Sequence, residues 1–326
     1  MTYPLSYRLF KGAPLSPVII CLGLMFLFAS SYILLSIQGG VIKDVFAGKI
    51  PSIEFRATLT VLILMAYVPM AQFYLIKWSK EHWQLLSESV GDLVEFDYRL
   101  SRSWGLIGML FQFISFYGVL LFSGDFFDSN YWNLRLIFTC IFVVAIGWHL
   151  YRLLASLLFY ARQFSKIAKS LPELELFETA LPKIFVQQGI RSTLLIIGII
   201  SILGNLFVAP GSRIDVAIII GVISVCSAAM VFIYPVVGIH QRINETKQKQ
   251  LSDLQLQINP LTKQIKNDNL DWQKLSTLLA LETRIQSVKE WPFDASSISR
   301  FAFYIAIGLS SWVGAALVEK LMDSLI

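Results

Sequence analysis

Apolar residues in this chain come in long runs, not in narrow stripes. Seven runs approach the roughly 20 residues that a helix needs to cross a hydrocarbon core of about 30 Å. They cover Val18–Gln38, Ala57–Ile76, Trp104–Phe122, Leu136–Leu158, Ser192–Val208, Val216–Ile239 and Phe301–Val318. The first lies in a stretch without charge from Gly12 to Ile42. It is too long for a cleaved signal peptide and is closed by no clear small-x-small site, so it reads as a retained anchor. The last is diluted by Gly308, Ser310, Ser311 and Gly314. The pattern predicts an all-α, polytopic membrane bundle of about seven spans in one domain, 1–326.

The connections carry helical patterns of their own. Within 82–100, Leu86, Val90, Leu93 and Val94 share one helical face, and Glu88, Asp92 and Glu95 share another. The acidic face disfavours anionic lipid, so the apolar one is expected to pack on neighbouring helices. From Asn133 to Ser170 there is no proline and one glycine, Gly147. A single helix there would run about 55 Å and project beyond the bilayer. Ser170-Leu171-Pro172, followed by Glu173 and Glu175, has the pattern of a helix start.

The largest polar insertion is 240–297, expected to be helical. Gln241–Ile258 extends the sixth run, and Asn259-Pro260 is expected to end it. After a turn at Asn267-Asp268-Asn269, Asp271–Val288 is amphipathic, with Trp272, Leu275 and Leu279 at helical spacing. Leu278, Leu281, Ile285 and Val288 widen that stripe. Then comes Glu290-Trp291-Pro292-Phe293-Asp294. Pro292 biases Trp291 away from helix, and Asp294 is placed to cap the helix that becomes the last span. The segment is expected to be a structural elbow with Trp291 and Phe293 buried as wedges.

Composition supports the membrane reading. Charged residues are only 15% of the chain against 56% hydrophobic, with mean hydropathy +0.63. Soluble domains carry about a quarter charged residues. The net charge of +5 flanks apolar runs, so it sets orientation and implies no nucleic-acid partner. Alternate connections divide Lys and Arg 21 to 6, with the N-terminus on the basic side. That predicts a cytoplasmic N-terminus, an external C-terminus and a cytoplasmic helical layer. The location implied is a cell membrane, in bacteria the inner one. Cys21, Cys140 and Cys226 lie inside apolar runs without close pairing and read as small buried hydrophobes.

Little in the chain carries chemistry. There is no Walker A, dinucleotide fingerprint, HExxH or CxxC motif. His82, His149 and His240 are scattered, which leaves no metal spacing. No cofactor and no catalytic residue is expected. Ser310 and Ser311 in one run with His149 in another raise an intramembrane protease, but serine commonly joins membrane helices. His149 and Arg152 share a face of the fourth run, as a polar pathway or as a snorkelling pair near the cytoplasmic boundary. Gln72, Gln112, Ser201 and Asn205 lie inside spans as helix contacts or cavity linings. Ser224-xxx-Ala228 and Ser311-xxx-Ala315 permit close helix approach. The pore or interface candidates are Gln112, His149, Ser310, Ser311, Ala315 and Glu319. Ser311, Ala315 and Glu319 recur every four residues, drifting about 40° per step around the last helix.

Two resemblances follow. Glu282 to Asp323, with Glu290-Trp291-Pro292-Phe293-Asp294, Arg300 and Trp312-Val313-Gly314-Ala315-Ala316-Leu317-Val318-Glu319, resembles the C-terminal end of uncharacterised bacterial inner-membrane proteins. That resemblance implies no known activity. In topology alone the chain resembles insect odorant and gustatory receptor channels. There, cytoplasmic extensions form a subunit-anchoring layer and the last span lines a shared cation pore. Phe303-Tyr304 does not match that family's Thr-Tyr, and no motif carries over residue by residue.

These features imply a homo-oligomeric ion channel or pore. The alternatives are a secondary transporter, or a non-conducting scaffold or signalling protein with a cytoplasmic protein partner. The charge pattern makes the topology testable. Reporter fusions after Gln38 and at Ile326 should report the outside, and one after Gln250 the inside. A cytoplasmic signal at Ile326 would contradict seven spans.

Overall fold

Helices account for every regular element in the computed structural model, among the residues it describes. These are 5–38, 40, 42–43, 52–90, 96–97, 102–123, 134–171, 176–177, 180–204, 214–263, 272–308 and 310. In chain order the helices are α1 (Leu5–Gly12), α2 (Pro17–Gln38), α3 (Ser52–Val90), α4 (Arg102–Ser123) and α5 (Leu134–Ser170). They continue with α6 (Ala180–Gly204), α7 (Ile214–Lys263), α8 (Trp272–Gln286) and α9, residues 295–308.

Five helices among the described residues are long and apolar enough to cross a membrane. They contain Pro17–Gln38, Thr58–Glu88, Cys140–Ser170, Ala180–Gly204 and Gly221–Lys263. Their surface agrees with that use. On α2, eight large apolar side chains are exposed, Phe26 by 77%. Burying each from water is worth roughly 1.5–3 kcal/mol. Leaving them in water would forgo more than 10 kcal/mol, on the scale of a whole domain's stability of about 5–15 kcal/mol. The geometry is that of a membrane helix bundle whose outer face meets an apolar solvent.

Three helices overshoot a bilayer. α3, α5 and α7 have 39, 37 and 50 residues. At about 1.5 Å per residue they run roughly 58, 55 and 75 Å. The single helix expected over 133–170 is therefore present as α5. α3 and α7 continue across Pro69 and Pro235. In a membrane the carbonyls that these prolines free can be satisfied by neighbouring helices, so proline does not end the helix there.

Within 82–100 the part through Val90 continues α3, where Leu86 is fully buried, and Phe96 is non-helical and buried. Two expectations about boundaries need correction. Ser170 ends α5 instead of starting a helix, and α6 begins at Ala180 with Pro182 in its first turn. Proline lacks an amide hydrogen that the first turn would leave unpaired anyway, so Pro182 suits that start. α7 also passes Asn259-Pro260 and ends at Lys263.

The core joins α3, α5, α6 and α7. α3 packs on α1, α2, α5 and α6, α5 packs on α4 and α7, and α6 lies along α7. Val68, Ile76, Leu153, Leu157, Phe185 and Ile239 are fully or nearly fully buried in one continuous cluster. That cluster extends to Leu275 and Ile285 of α8, which lies against the distal part of α7. The stripe of α8 that packs is Leu275, Leu278 and Ile285, whereas Trp272, Leu279 and Leu281 face outward.

Backbone proximity sets the helix spacing. A Cβ added at Gly238 of α7 would fall on the Ser165 carbonyl of α5. One at Gly189 of α6 would meet the Phe232 carbonyl of α7. Cys21 and Cys140 are buried free thiols, but Cys226 is exposed, on the outer side of α7 with Val222 and Ile223. The outward direction of that face corrects its assignment as a buried residue.

Gly238→Ala should lower the thermal midpoint in detergent, since overpacking a tight contact costs about 1–3 kcal/mol. Gly23, with nothing within 4 Å of an added Cβ, provides the control. Gly23→Ala should be neutral or slightly stabilising. Equal midpoints for both variants would show that the α5–α7 crossing is not tight.

Candidate functional site

The segment after α8 makes a bend with its own chemistry. Pro292 keeps residues 292–294 out of helix, and α9 starts after Asp294. The Ser297 amide donates to Asp294 Oδ1 at 2.7 Å, and the Ser296 hydroxyl donates to Oδ2 at 2.9 Å. Asp294 is thus the expected N-cap. Hydrogen bonds from the Ser297 side chain, the Ser297 amide and the Ser296 hydroxyl pull its pKa down to about 2.

Two side chains of α7 hold the bend. The buried Lys247 ammonium donates to the Val288 carbonyl at 2.9 Å and pairs with Glu290 at 3.6 Å. His240 Nδ1 lies 3.0 Å from the Glu290 carbonyl, so the ring nitrogen is placed to donate. The His240 ring stacks on Trp291 with centroids 3.9 Å apart and planes 7° apart. Trp291 stacks on Phe293 at 5.6 Å, Phe293 on Phe232 at 5.2 Å, and Phe232 on Phe301 at 4.3 Å. Five near-parallel rings therefore run from the distal part of α7, through the elbow, to the first turns of α9. Trp291 is not the buried wedge expected, since it is 40% exposed, with its ring stacked on His240 and Phe293. Phe293 is half-buried.

The elbow separates two cavities. One, of about 750 Å³, is lined by Ile233, Lys247, Lys289, Glu290, Phe293 and Ile298, among others. The other, of about 500 Å³, has Leu176, Phe177, Pro182, Lys183, Ile243 and Pro292 in its wall. Val288, Lys289, Trp291 and Phe293 line both. Phe177, in the wall of the second cavity, also carries the Arg284 guanidinium of α8 over its ring at 4.4 Å.

A second polar cluster escaped sequence reasoning. His82 Nδ1 meets Gln188 Oε1 at 2.7 Å, and Gln188 Nε2 donates to the hydroxyls of Ser79 and Ser192 at 3.0 and 3.3 Å. All four residues are buried between α3 and α6. With the Gln188 oxygen accepting, His82 is protonated on Nδ1. Its Nε2 then offers a lone pair that has no hydrogen-bond partner among the described residues. Arg191 pairs with Glu81 at 3.3 Å and Lys77 reaches the same carboxylate at 4.0 Å, alongside the cluster. The signal was available as spacing: Ser79 and His82 are three apart on one helix, and Gln188 and Ser192 four apart on the other.

The other candidates are dispersed. Gln112 packs against Gly147 where α4 crosses α5, so it is a helix contact. The His149 carbonyl accepts from the buried Gln72 amide at 2.9 Å, which ties α5 to α3. The His149 ring lies on the same helix as Arg152, whose guanidinium lies 5.0 Å from the Trp148 ring centroid. The Ser310 hydroxyl donates to the Ile307 carbonyl of its own helix at 2.8 Å. None of these side chains joins the elbow. Asn205, Ser311, Ala315 and Glu319 lie outside the described residues. Among the described residues no group of three or more His, Cys, Asp or Glu could hold a metal ion.

Comparison with protein-family models, curated proteins and solved structures gives no match.

The elbow predicts two measurable effects. Trp291→Ala should cost about 1–2 kcal/mol, because two stacking contacts are lost from a ring that is already 40% exposed. A fully buried ring would cost about 3–5 kcal/mol. Asp294 stabilises the native state above its unfolded pKa near 3.8, and that contribution fades as pH falls toward about 2. An Asp294→Asn variant should therefore flatten the loss of stability between these pH values. An unchanged slope would remove Asp294 from the cap.

Proposed function

We propose that this chain is a seven-span membrane protein, cytoplasmic at its N-terminus and external at its C-terminus, that assembles with copies of itself into an ion-conducting pore. The membrane part rests on five long apolar helices. Orientation rests on the 21 to 6 division of basic residues. On that orientation the distal part of α7 and α8 form a cytoplasmic layer, with the elbow at its membrane side.

One observation carries the assembly. In that layer the outward side chains Leu256, Trp272 and Leu279 are exposed by 69%, 64% and 43%. They stand where water, not lipid, is the solvent. Trp272 and Leu279, two turns apart, share one face of α8, and an apolar face exposed to water marks an interaction surface. A ring of identical copies would cover that face with its neighbour.

The conduction reading rests on α9. Gly308 and Ile305 face α6 and α7, next to Ile197, while Phe303 and Ile307 are exposed by 62% and 47%. Extended by fours, the line Phe303–Ile307 reaches Ser311, Ala315 and Glu319 in sequence. Around an axis of several copies, Phe303 and Ile307 would form an apolar constriction and Glu319 an acidic ring favouring cations. The ring stack from His240 to Phe301 would couple α9 to the cytoplasmic layer.

The outward face of α8 also fits a different cytoplasmic protein, which is the second reading, a non-conducting scaffold. Purified protein in liposomes separates the two. The channel reading expects an oligomer by cross-linking and cation flux that falls at least about tenfold in Leu279→Asp, as that variant dissociates the ring. Flux from a monomer would point to a transporter. An oligomer without flux would leave the scaffold, and a monomer without flux would remove both the pore and its assembly.

A further inference from the structure

We propose that the groove between α7 and the elbow seats one anionic phospholipid of the cytoplasmic leaflet, held by its phosphate at Lys289. The inference rests on the membrane reading above and adds a ligand to the elbow.

The groove has a polarity gradient along α7. At one end its wall is Ile233, Phe293 and Ile298, and at the other Lys247, Lys289 and Glu290. Ile233 and Lys247 are separated by about 21 Å at 1.5 Å per residue. That is about half of a bilayer's full 40–45 Å thickness, headgroups included. Trp291 stands between the two ends with its edge exposed, as an indole does where acyl chains meet headgroups.

The charges decide the sign of the headgroup. Glu290 and Lys247 neutralise each other at 3.6 Å, and Lys247 also donates to the Val288 carbonyl. Lys289 is exposed and has no ion-pair partner among the described residues. The open end of the groove is thus a single cation beside an apolar wall. An acyl chain along Ile233 and Ile298 with a phosphate at Lys289 satisfies both. A zwitterionic lipid would bring a second cation to the same place, and a free phosphate would leave the apolar wall uncovered. Because Lys289 and Trp291 also line the second cavity, the lipid would bear on the elbow itself.

Fluorescence quenching in nanodiscs tests this. The lipids are acyl-brominated phosphatidylglycerol and acyl-brominated phosphatidylcholine at equal mole fraction. Subtracting the signal of Trp291→Phe isolates Trp291. Brominated phosphatidylglycerol should quench that component about fivefold more effectively, the preference expected of one lysine at the surface. Lys289→Gln should abolish the preference, and Lys183→Gln, in the other cavity, should preserve it. Equal quenching by both lipids overturns the proposal, as does a preference that survives Lys289→Gln. Reversal by millimolar glycerol phosphate would show a soluble phosphate ligand instead of a lipid. Carbonate extraction of native membranes separates the two levels. Protein that resists extraction but shows no preference loses the lipid site alone, whereas extracted protein loses the membrane reading as well.

Discussion

The backbones of α7, α5 and α6 meet without side chains between them, and the rest of the structure is arranged around those contacts. Gly238 lies on the Ser165 carbonyl and Gly189 on that of Phe232. In an apolar solvent, association gains little from burying leucine, since lipid is equally apolar, so close packing must supply the attraction. Approach this close fixes the rotation of α7. Once that is set, Phe232 and His240 point toward the elbow, Val236 and Ile239 fill the core, and Ile233 and Tyr234 face outward. The ring stack, the Lys247 anchor and both cavities follow from one helix held in one orientation.

Polar groups do a different task in the same bundle. Gln72 to the His149 carbonyl, Tyr67 to the Leu195 carbonyl and Thr193 to the Ala228 carbonyl each tie one helix to the backbone of another. Each such bond adds about 0.6 kcal/mol in a membrane. They bring specificity more than strength, because a slipped register would leave a buried donor unpaired at about 1–3 kcal/mol. The His82–Gln188 node extends this logic, with one amide engaging three side chains on two helices.

Much of the architecture was legible in the sequence, and for a clear reason. Helix existence in a membrane follows from local hydropathy, which needs no knowledge of neighbours. The long α5, the extension of α7 and the amphipathic α8 were all readable that way, as was the Asp294 cap, a purely local motif. Boundaries were less legible. Local preference makes Pro260 a breaker and Ser170 a starter, yet α7 passes the proline and α5 ends at the serine. Pairings between helices were least legible. Nothing local says that Ser79 and Gln188 meet 109 residues apart, or that His240 finds Trp291. The elbow is visible in the sequence, but the stacking of Trp291 on flat rings instead of its burial depends on which face α7 turns toward it.

The elbow joins two parts of the chain that pack on different stretches of α7. α8 lies on the distal arm of α7, while α9 lies against α6 and the apolar part of α7. A flexible connection would let each follow its own surroundings. Here the connection is short, starts at the Val288 and Glu290 anchors, and ends in a capped helix. The Lys247 and His240 contacts and the stacked rings together fix the elbow to α7. Val288, Lys289, Trp291 and Phe293, which link α8 to α9, line both flanking cavities, so anything bound in either one touches the residues that join the two helices.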